Sequence, residues 1–324
     1  MKIDLLKTPE LFHGIASISK TETGYYPERM TPELLAFYSS ENESIRAHCP
    51  AGVRISFFSN TSEIQIDLKF GRNARMIYST DIVTDEQKLL TFTPETECDS
   101  YAFTLKSSEP GEHLYEIWLP NMCETEIADL QIDDGASLVP LVPAEAPLVF
   151  IGDSITQGMT SSSPSRCYAA LLSRSMKKDL INLSIGGAEM KKELGISAQA
   201  YPWDAAIIAF GVNDCFHKRS LDAFKSDTHG LLQALSHRKN AEIYILTPIP
   251  YLGDSEEPEN TLEVFRESIR RTAADFPNVI VIEGTELLPH ESRYFTDGIH
   301  PNDDGMKLMA ENLYKKIKQE REKQ

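Results

Sequence analysis

A serine, an aspartate and a histidine can together make a nucleophile, and this chain offers such a set in Ser154, Asp297 and His300. The serine lies in Phe150-Ile-Gly-Asp-Ser-Ile-Thr-Gln-Gly158, where an apolar run ends at Gly152 and a helix would begin. A hydroxyl there is exposed beside the free N–H donors of a helix start. The Gly-x-Ser-x-Gly elbow is not present, because Thr156 occupies the place of the second glycine. Taken alone, Gly-Asp-Ser is a weak signal and reads more readily as a helix cap supplied by Ser154 than as a nucleophile. Asp297 and His300 are three residues apart in Phe295-Thr-Asp-Gly-Ile-His-Pro301. That spacing lets a carboxylate accept from imidazole Nδ1–H, fix the tautomer and leave Nε2 to take a proton from a hydroxyl.

Two further segments could stabilise the negative oxygen that such a nucleophile creates. Ile181-Asn-Leu-Ser-Ile-Gly-Gly-Ala188 ends on glycines, and Gly187 could present an unobstructed backbone N–H. Ile207-Ile-Ala-Phe-Gly-Val-Asn-Asp214 runs into Asn213, whose amide could be a second donor, with Asp214 in a capping role. A plain tight turn and a turn asparagine are the bland alternatives. Asp153 is expected to be structural, bonding neighbouring groups of the site.

These residues need a frame. Leu148–Ile151, Leu180–Leu183, Ala205–Phe210, Ile243–Leu246 and Val279–Ile282 are apolar runs suited to strands covered on both faces. Between them lie helical stretches near 165–178, 220–238 and 259–275. A last helix runs from Asp303 to about Gln319, with Met306, Met309, Leu313 and Ile317 on one stripe and Asn302 or Asp303 as cap. Alternating strands and helices predict a parallel sheet in a three-layer α/β/α domain, whose ligands collect at the carboxyl ends of the strands. The charged tail Lys315–Gln324 reads as a solvated helix end.

The chain before Pro140-Leu-Val-Pro-Ala-Glu-Ala-Pro147 is different in kind. Ile64, Ile66, Leu68 and Phe70 alternate with polar residues, as do Tyr101, Phe103 and Leu105, then Tyr115, Ile117 and Leu119. Val53–Phe58, Met76–Ile82, Leu89–Thr93 and Ile127–Ile132 are further short strands. Together they predict an all-β, jelly-roll-like sandwich, while residues 1–45 give no clear pattern and Gly24-Tyr-Tyr-Pro reads as a loop. The Pro-rich stretch places a boundary that divides the chain into 1–143 and 144–324. Charge changes there too. Residues 1–146 carry 11 Lys+Arg against 24 Asp+Glu, a net −13 of the total −17.

In order, Ser, Gly, Asn and Asp-x-x-His resemble the blocks of the SGNH (GDSL) hydrolase superfamily over roughly Pro147 to Leu313. The resemblance implies that Ser154 is the nucleophile and His300 and Asp297 complete the triad. It also implies that Ser154 N–H, Gly187 N–H and the Asn213 amide form the oxyanion hole. Gly187 is chosen over Gly186 because the family's Asn-x-x-x-x-Gly spacing, counted from Asn182, lands on it. The whole chain is also similar to a bacterial subgroup in which a β-sandwich of roughly 140 residues precedes the catalytic domain. Ala51-Gly-Val-Arg-Ile-Ser-Phe-Phe and Leu119-Pro-Asn121 carry that second resemblance. Several such relatives are carbohydrate esterases and one type is an acyltransferase-like tailoring enzyme.

The expected function is therefore a serine esterase acting on short-chain, acetyl-type esters, on carbohydrate. Acyl transfer, a lysophospholipase or thioesterase activity, and a catalytically dead carbohydrate-binding protein are the alternatives. Thr160–Pro164, Tyr251–Pro258 and Trp203 are expected to border the pocket. No cofactor or metal is expected, since no Cys-x-x-Cys or His-Glu-x-x-His occurs. A pI near 4.9 argues against nucleic acid and anionic membranes, and no apolar run of about 18 residues exists to span a bilayer. The N-terminus reads as lacking a signal peptide. With Cys49, Cys98, Cys123, Cys167 and Cys215 odd in number and widely spaced, a cytoplasmic protein with reduced thiols is expected. A homo-oligomer stays open.

Overall fold

The computed structural model describes residues 1–253 and 261–323. It divides into two compact units, one of Met1–Ala144 with Ser163–Ser165, the other of Glu145–Ser162 with Arg166–Gln324.

The first unit is antiparallel throughout. Its strands are β1 (Phe12–His13), β2 (Ser17–Lys20), β3 (Tyr25–Glu28), β4 (Arg54–Ser59), β5 (Glu63–Asn73), β6 (Thr80–Thr84), β7 (Lys88–Phe92), β8 (Ser100–Lys106), β9 (His113–Trp118), β10 (Cys123–Ile132) and β11 (Val139–Pro140). One sheet has the order β1-β4-β9-β6-β7 with β11 also on β4, and the other β2-β3-β10-β5-β8. Ile55, Phe57 and Ile117 from the first sheet and Ile64, Ile66, Leu68 and Ile127 from the second share one core, which makes the unit a sandwich. The period-two pattern along β5 produces this directly, since Ile64, Ile66 and Leu68 are buried while Gln65 and Asp67 are exposed.

Residues 1–45, unreadable in sequence, contribute β1 to β3 and the short helices α1 (Pro32–Phe37) and α2 (Glu41–His48). The second is opened by a capping box between Ser40 and Glu43. The loop expected at Gly24-Tyr-Tyr-Pro is instead strand β3. Pro27 is tolerated because β10 pairs with β3 only at Tyr25, so no ladder bond on that side needs the missing Pro27 N–H.

The second unit is built on a five-stranded, wholly parallel sheet of order β13-β12-β14-β15-β16. The strands are β12 (Leu148–Gly152), β13 (Leu180–Asn182), β14 (Ala205–Ala209), β15 (Glu242–Leu246) and β16 (Val279–Ile282). Its helices are α3 (Ser154–Gln157), α4 (Tyr168–Met176), α5 (Lys192–Ala198), α6 (Val212–Phe216), α7 (Leu221–Ser236), α8 (Leu262–Ala273), α9 (Gly284–Leu287) and α10 (Asp303–Arg321). α4 packs on α10, whereas α5 packs on α7 and α7 on α8. Right-handed crossovers place these two groups on opposite faces, giving three layers. Because β13 and β14 flank β12 on either side, the strand order reverses at β12, which opens a crevice at its carboxyl end.

Met306, Met309, Leu313 and Ile317 are buried as one stripe of α10, and Asn302 caps it by accepting from Gly305 N–H at 3.0 Å. Each such buried side chain contributes roughly 1.5–3 kcal/mol of apolar transfer. Helix α5 has no counterpart in the sequence reading, because Gly195, Ser197 and Ala198 break up its apolar period. Gly195 is needed there for close packing: a Cβ would stand 2.6 Å from Leu231 O on α7. Residues 259 and 260, at the start of the third expected helix, lie outside the described residues, as does Gln324 of the charged tail.

Candidate active site

Strand β12 delivers the chain to the crevice at Gly152. Asp153 is extended and its Oδ1 accepts from Ile155 N–H at 3.0 Å, so Asp153 caps α3 and Ser154 is its first helical residue. The alternative reading of Ser154 as the cap is therefore corrected. With the capping done by its neighbour, the Ser154 hydroxyl is left for other work, and its Oγ lies 2.8 Å from His300 Nε2. Asp153 is completely enclosed, and burial pushes its carboxyl up to about 7, with the nearby Asp214 charge adding to the rise against the Ile155 N–H.

His300 sits in a short loop closed by the Phe295–Pro301 bridge and by Thr296 N–H donating to His300 O at 2.9 Å. Asp297 Oδ1 accepts from the backbone N–H groups of Ile299 at 3.1 Å and His300 at 2.9 Å. Its Oδ2 lies 2.8 Å from His300 Nδ1. A carboxylate only accepts, so Nδ1 carries the proton and Nε2 is the acceptor facing Ser154 Oγ–H. Burial alone would raise the Asp297 carboxyl, but the His300 backbone and side-chain bonds outweigh it and hold the group below the ordinary carboxylate range.

Gly187 and Asn213 follow β13 and β14, the two strands beside β12. Gly187 has φ +80°, a left-handed conformation that costs glycine little. Gly186 N–H is taken by Gln157 Oε1 at 2.7 Å, whereas Gly187 N–H makes no hydrogen bond among the described residues. Asn213 Nδ2 donates to Ala188 O at 3.0 Å, which ties it to the residue after Gly187. Ser154, His300 and Asp297 thus form one hydrogen-bonded chain, and Asn213 is tied to Ala188, the neighbour of Gly187. No described hydrogen bond links the pair to Ser154.

Other expectations change. Asp214 does not cap α6; it is buried with its carboxyl raised, chiefly by burial and against the pull of Arg219, and it accepts from Met190 N–H at 3.2 Å and Arg219 Nη1 at 2.8 Å. Trp203 does not border the site. It precedes β14, at the opposite end of the sheet from Ser154, where Nε1 donates to Ala198 O at 2.8 Å and the Arg238 guanidinium lies 4.3 Å from the ring centroid. Of the loop expected from Tyr251 to Pro258, Leu252 N–H donates to Gly298 O at 2.8 Å, between Asp297 and His300; residues 254–258 lie outside the described residues. On the other side, Thr160 Oγ1 donates to Pro301 O at 2.8 Å and Ser162 N–H to Asp303 Oδ1 at 2.8 Å. Gln157 and Arg219 were not singled out from sequence; only their three-dimensional partners mark them.

Among the described residues no group of three or more His, Cys, Asp or Glu is placed to hold a metal ion. No described helix is long and apolar enough to cross a membrane.

Residues 150–308 match the model of the GDSL-like lipase/acylhydrolase family. No curated protein sequence matches the chain. Among solved structures, it resembles the salicylyl-acyltransferase SsfX3 from a tetracycline biosynthetic pathway, with TM-score 0.85, 19% identity and coverage of 95% of this chain and 94% of that one. A family two carbohydrate esterase from Clostridium thermocellum, in complex with cellohexaose, gives TM-score 0.66 at 17% identity over 83% of this chain and 93% of its own. One from Cellvibrio japonicus gives 0.60 at 16% over 83% and 89%. At these identities the structural likeness speaks to the fold, an SGNH-type α/β domain preceded by a β-sandwich. Residues 150–308 are accordingly a GDSL-like lipase/acylhydrolase domain.

Proposed function

We propose that residues 144–324 hydrolyse short-chain, acetyl-type esters of carbohydrates through an acyl-enzyme on Ser154, with residues 1–143 as an accessory domain. The observation that carries this reading is the chain Ser154 Oγ–His300 Nε2 at 2.8 Å and His300 Nδ1–Asp297 Oδ2 at 2.8 Å. His300 takes the Ser154 proton as Oγ attacks the ester carbonyl, then gives it to the departing alcohol. Water, deprotonated by the same imidazole, attacks the acyl-enzyme, releases the acid and restores Ser154. Ser154 N–H, Gly187 N–H and the Asn213 amide hold the oxyanion in both halves of the cycle. Asp297 orients the imidazole and stabilises its charged form. None of these steps calls for a cofactor.

The carbohydrate part of the reading is supported by the family two esterases among the structural neighbours, one of them a complex with cellohexaose. The free state of all five cysteines favours a cytoplasmic setting. One observation favours a second reading: the salicylyl-acyltransferase shares nearly the whole chain at TM-score 0.85. Transfer differs from hydrolysis only in whether an alcohol or water meets the acyl-enzyme.

Acid release from acetylated oligosaccharides, short-chain esters and long-chain esters, with and without an added acceptor sugar, tests both. The hydrolase reading expects acetate release that an acceptor leaves unchanged and that Ser154→Ala abolishes. Acylated acceptor at the expense of acetate would install acyl transfer in its place. A preference for long-chain esters would overturn the acyl-class assignment.

A further inference from the structure

Between β13 and α5 the chain passes through Gly187 and then runs from 188 to 191 without regular structure of its own. What holds this segment is the opposite wall, α6 and the turn into α7. Asn213 Nδ2 donates to Ala188 O at 3.0 Å. Met190 is gripped on both backbone groups, its N–H by Asp214 Oδ1 at 3.2 Å and its carbonyl by Arg219 Nη1 at 2.5 Å. Lys192 N–H donates to Asp227 Oδ1 at 3.4 Å. One guanidinium ties these bonds together. Arg219 Nη1 also donates to Asp214 Oδ1 at 2.8 Å, Nη2 donates to Asp227 Oδ2, and Nε lies 3.6 Å from Glu189 Oε2. Asp214 is the residue after Asn213, and Met190 lies three residues past Gly187, so Arg219 bridges the supports of both.

We propose that Arg219 is a positioning residue for the oxyanion donors, fixing the separation of Gly187 N–H and the Asn213 amide through Met190, Asp214 and Asp227. This rests on the assignment of those two groups as donors under the esterase reading. A planar guanidinium can serve a carbonyl and two carboxylates from different N–H groups at once. A lysine ammonium keeps the charge but cannot reach all three with the same geometry. Donors that must meet a charge appearing only in the transition state lose much of their effect when displaced by about 1 Å. The loss therefore belongs in kcat, while KM for a small ester, set by ground-state contacts, stays near its original value.

The test is a double-mutant cycle on the full chain with an acetyl ester. Arg219→Lys is expected to lower kcat about 10- to 100-fold with KM within about 2-fold, at an unchanged folded fraction by circular dichroism. In an Asn213→Ala background the same substitution is expected to cost less than about 3-fold, because its main target is already gone. An equal loss in both backgrounds, or a loss that follows the folded fraction, would mean a structural role only and overturn the proposal. Should Arg219→Lys fail to fold, Asp227→Asn, which releases one arm of the guanidinium, is expected to lower kcat with the same non-additivity. Full turnover in a folded Asp227→Asn would then overturn it. If Asn213→Ala alone keeps full turnover while Ser154→Ala is inactive, the oxyanion assignment itself has failed, a result distinct from any failure of Arg219.

Discussion

Asp153→Asn should stabilise the catalytic domain by an amount that grows with pH. Asp153 is 3% exposed, its carboxyl accepts from Ile155 N–H, and burial lifts it from an ordinary 3.8 to about 7. A carboxylic acid with a raised value in the fold holds its proton more tightly there than in the unfolded chain. Below about pH 4 the two states are alike in protonation and Asp153 carries no penalty. As pH rises from about 4 to about 7 the unfolded chain gives up the proton and the folded one keeps it, so stability falls; above about 7 the penalty is constant. At 1.36 kcal/mol per tenfold step, the full effect is about 4 kcal/mol. Roughly 2–3 kcal/mol of it develops between about pH 5 and pH 8. Asparagine has the same shape, its Oδ1 can accept the same Ile155 N–H, and it does not ionise. Urea denaturation of both proteins across that range gives the comparison, and any contribution from the sandwich cancels between them. A stability gap that stayed flat or shrank with rising pH would refute the reasoning.

Three other outcomes follow from the same geometry. Asn213→Ala should lower kcat about 100- to 1,000-fold, the usual loss for one oxyanion donor, in a protein that still folds by circular dichroism; near-normal turnover would remove Asn213 from the site. Asp297→Asn should cost about 10,000-fold in kcat, as steady-state kinetics would record, since the one amide oxygen is taken by the Ile299 and His300 N–H groups and an NH2 donor is left facing Nδ1, which forces the wrong imidazole tautomer. Trp203→Phe should leave kcat unchanged while lowering stability by about 1–2 kcal/mol, through loss of the bond to Ala198 O and weaker stacking with Arg238. A catalytic defect there would return Trp203 to the pocket border.

The parallel sheet was legible because its strands are buried on both faces and so write continuous apolar runs. The last helix was legible because Asn302 and the Met306–Ile317 stripe are local signals. Ser154, Asp297 and His300 stood out as candidates through local spacing and order, and the fold brings them into one hydrogen-bonded chain. What escaped depended on partners far along the chain. Asp214 looks like a turn aspartate until Met190 and Arg219 close on it, 24 residues back and five ahead. The choice between Gly186 and Gly187 needed a family spacing in sequence, whereas in space Gln157 occupies the Gly186 N–H. Trp203 misled because a tryptophan between a loop and a strand suits either end of a sheet, and only strand direction tells which. Pro27 argued against a strand that exists because the ladder on one side stops before reaching it.

The central claim is that Ser154 is a nucleophile activated by His300, and mass spectrometry after exposure to a serine-directed fluorophosphonate tests it most directly. The expected result is one adduct, located on Ser154, that is absent in Ser154→Ala and strongly slowed in His300→Ala. An unlabelled Ser154 in protein that still releases acetate from its substrate would contradict it.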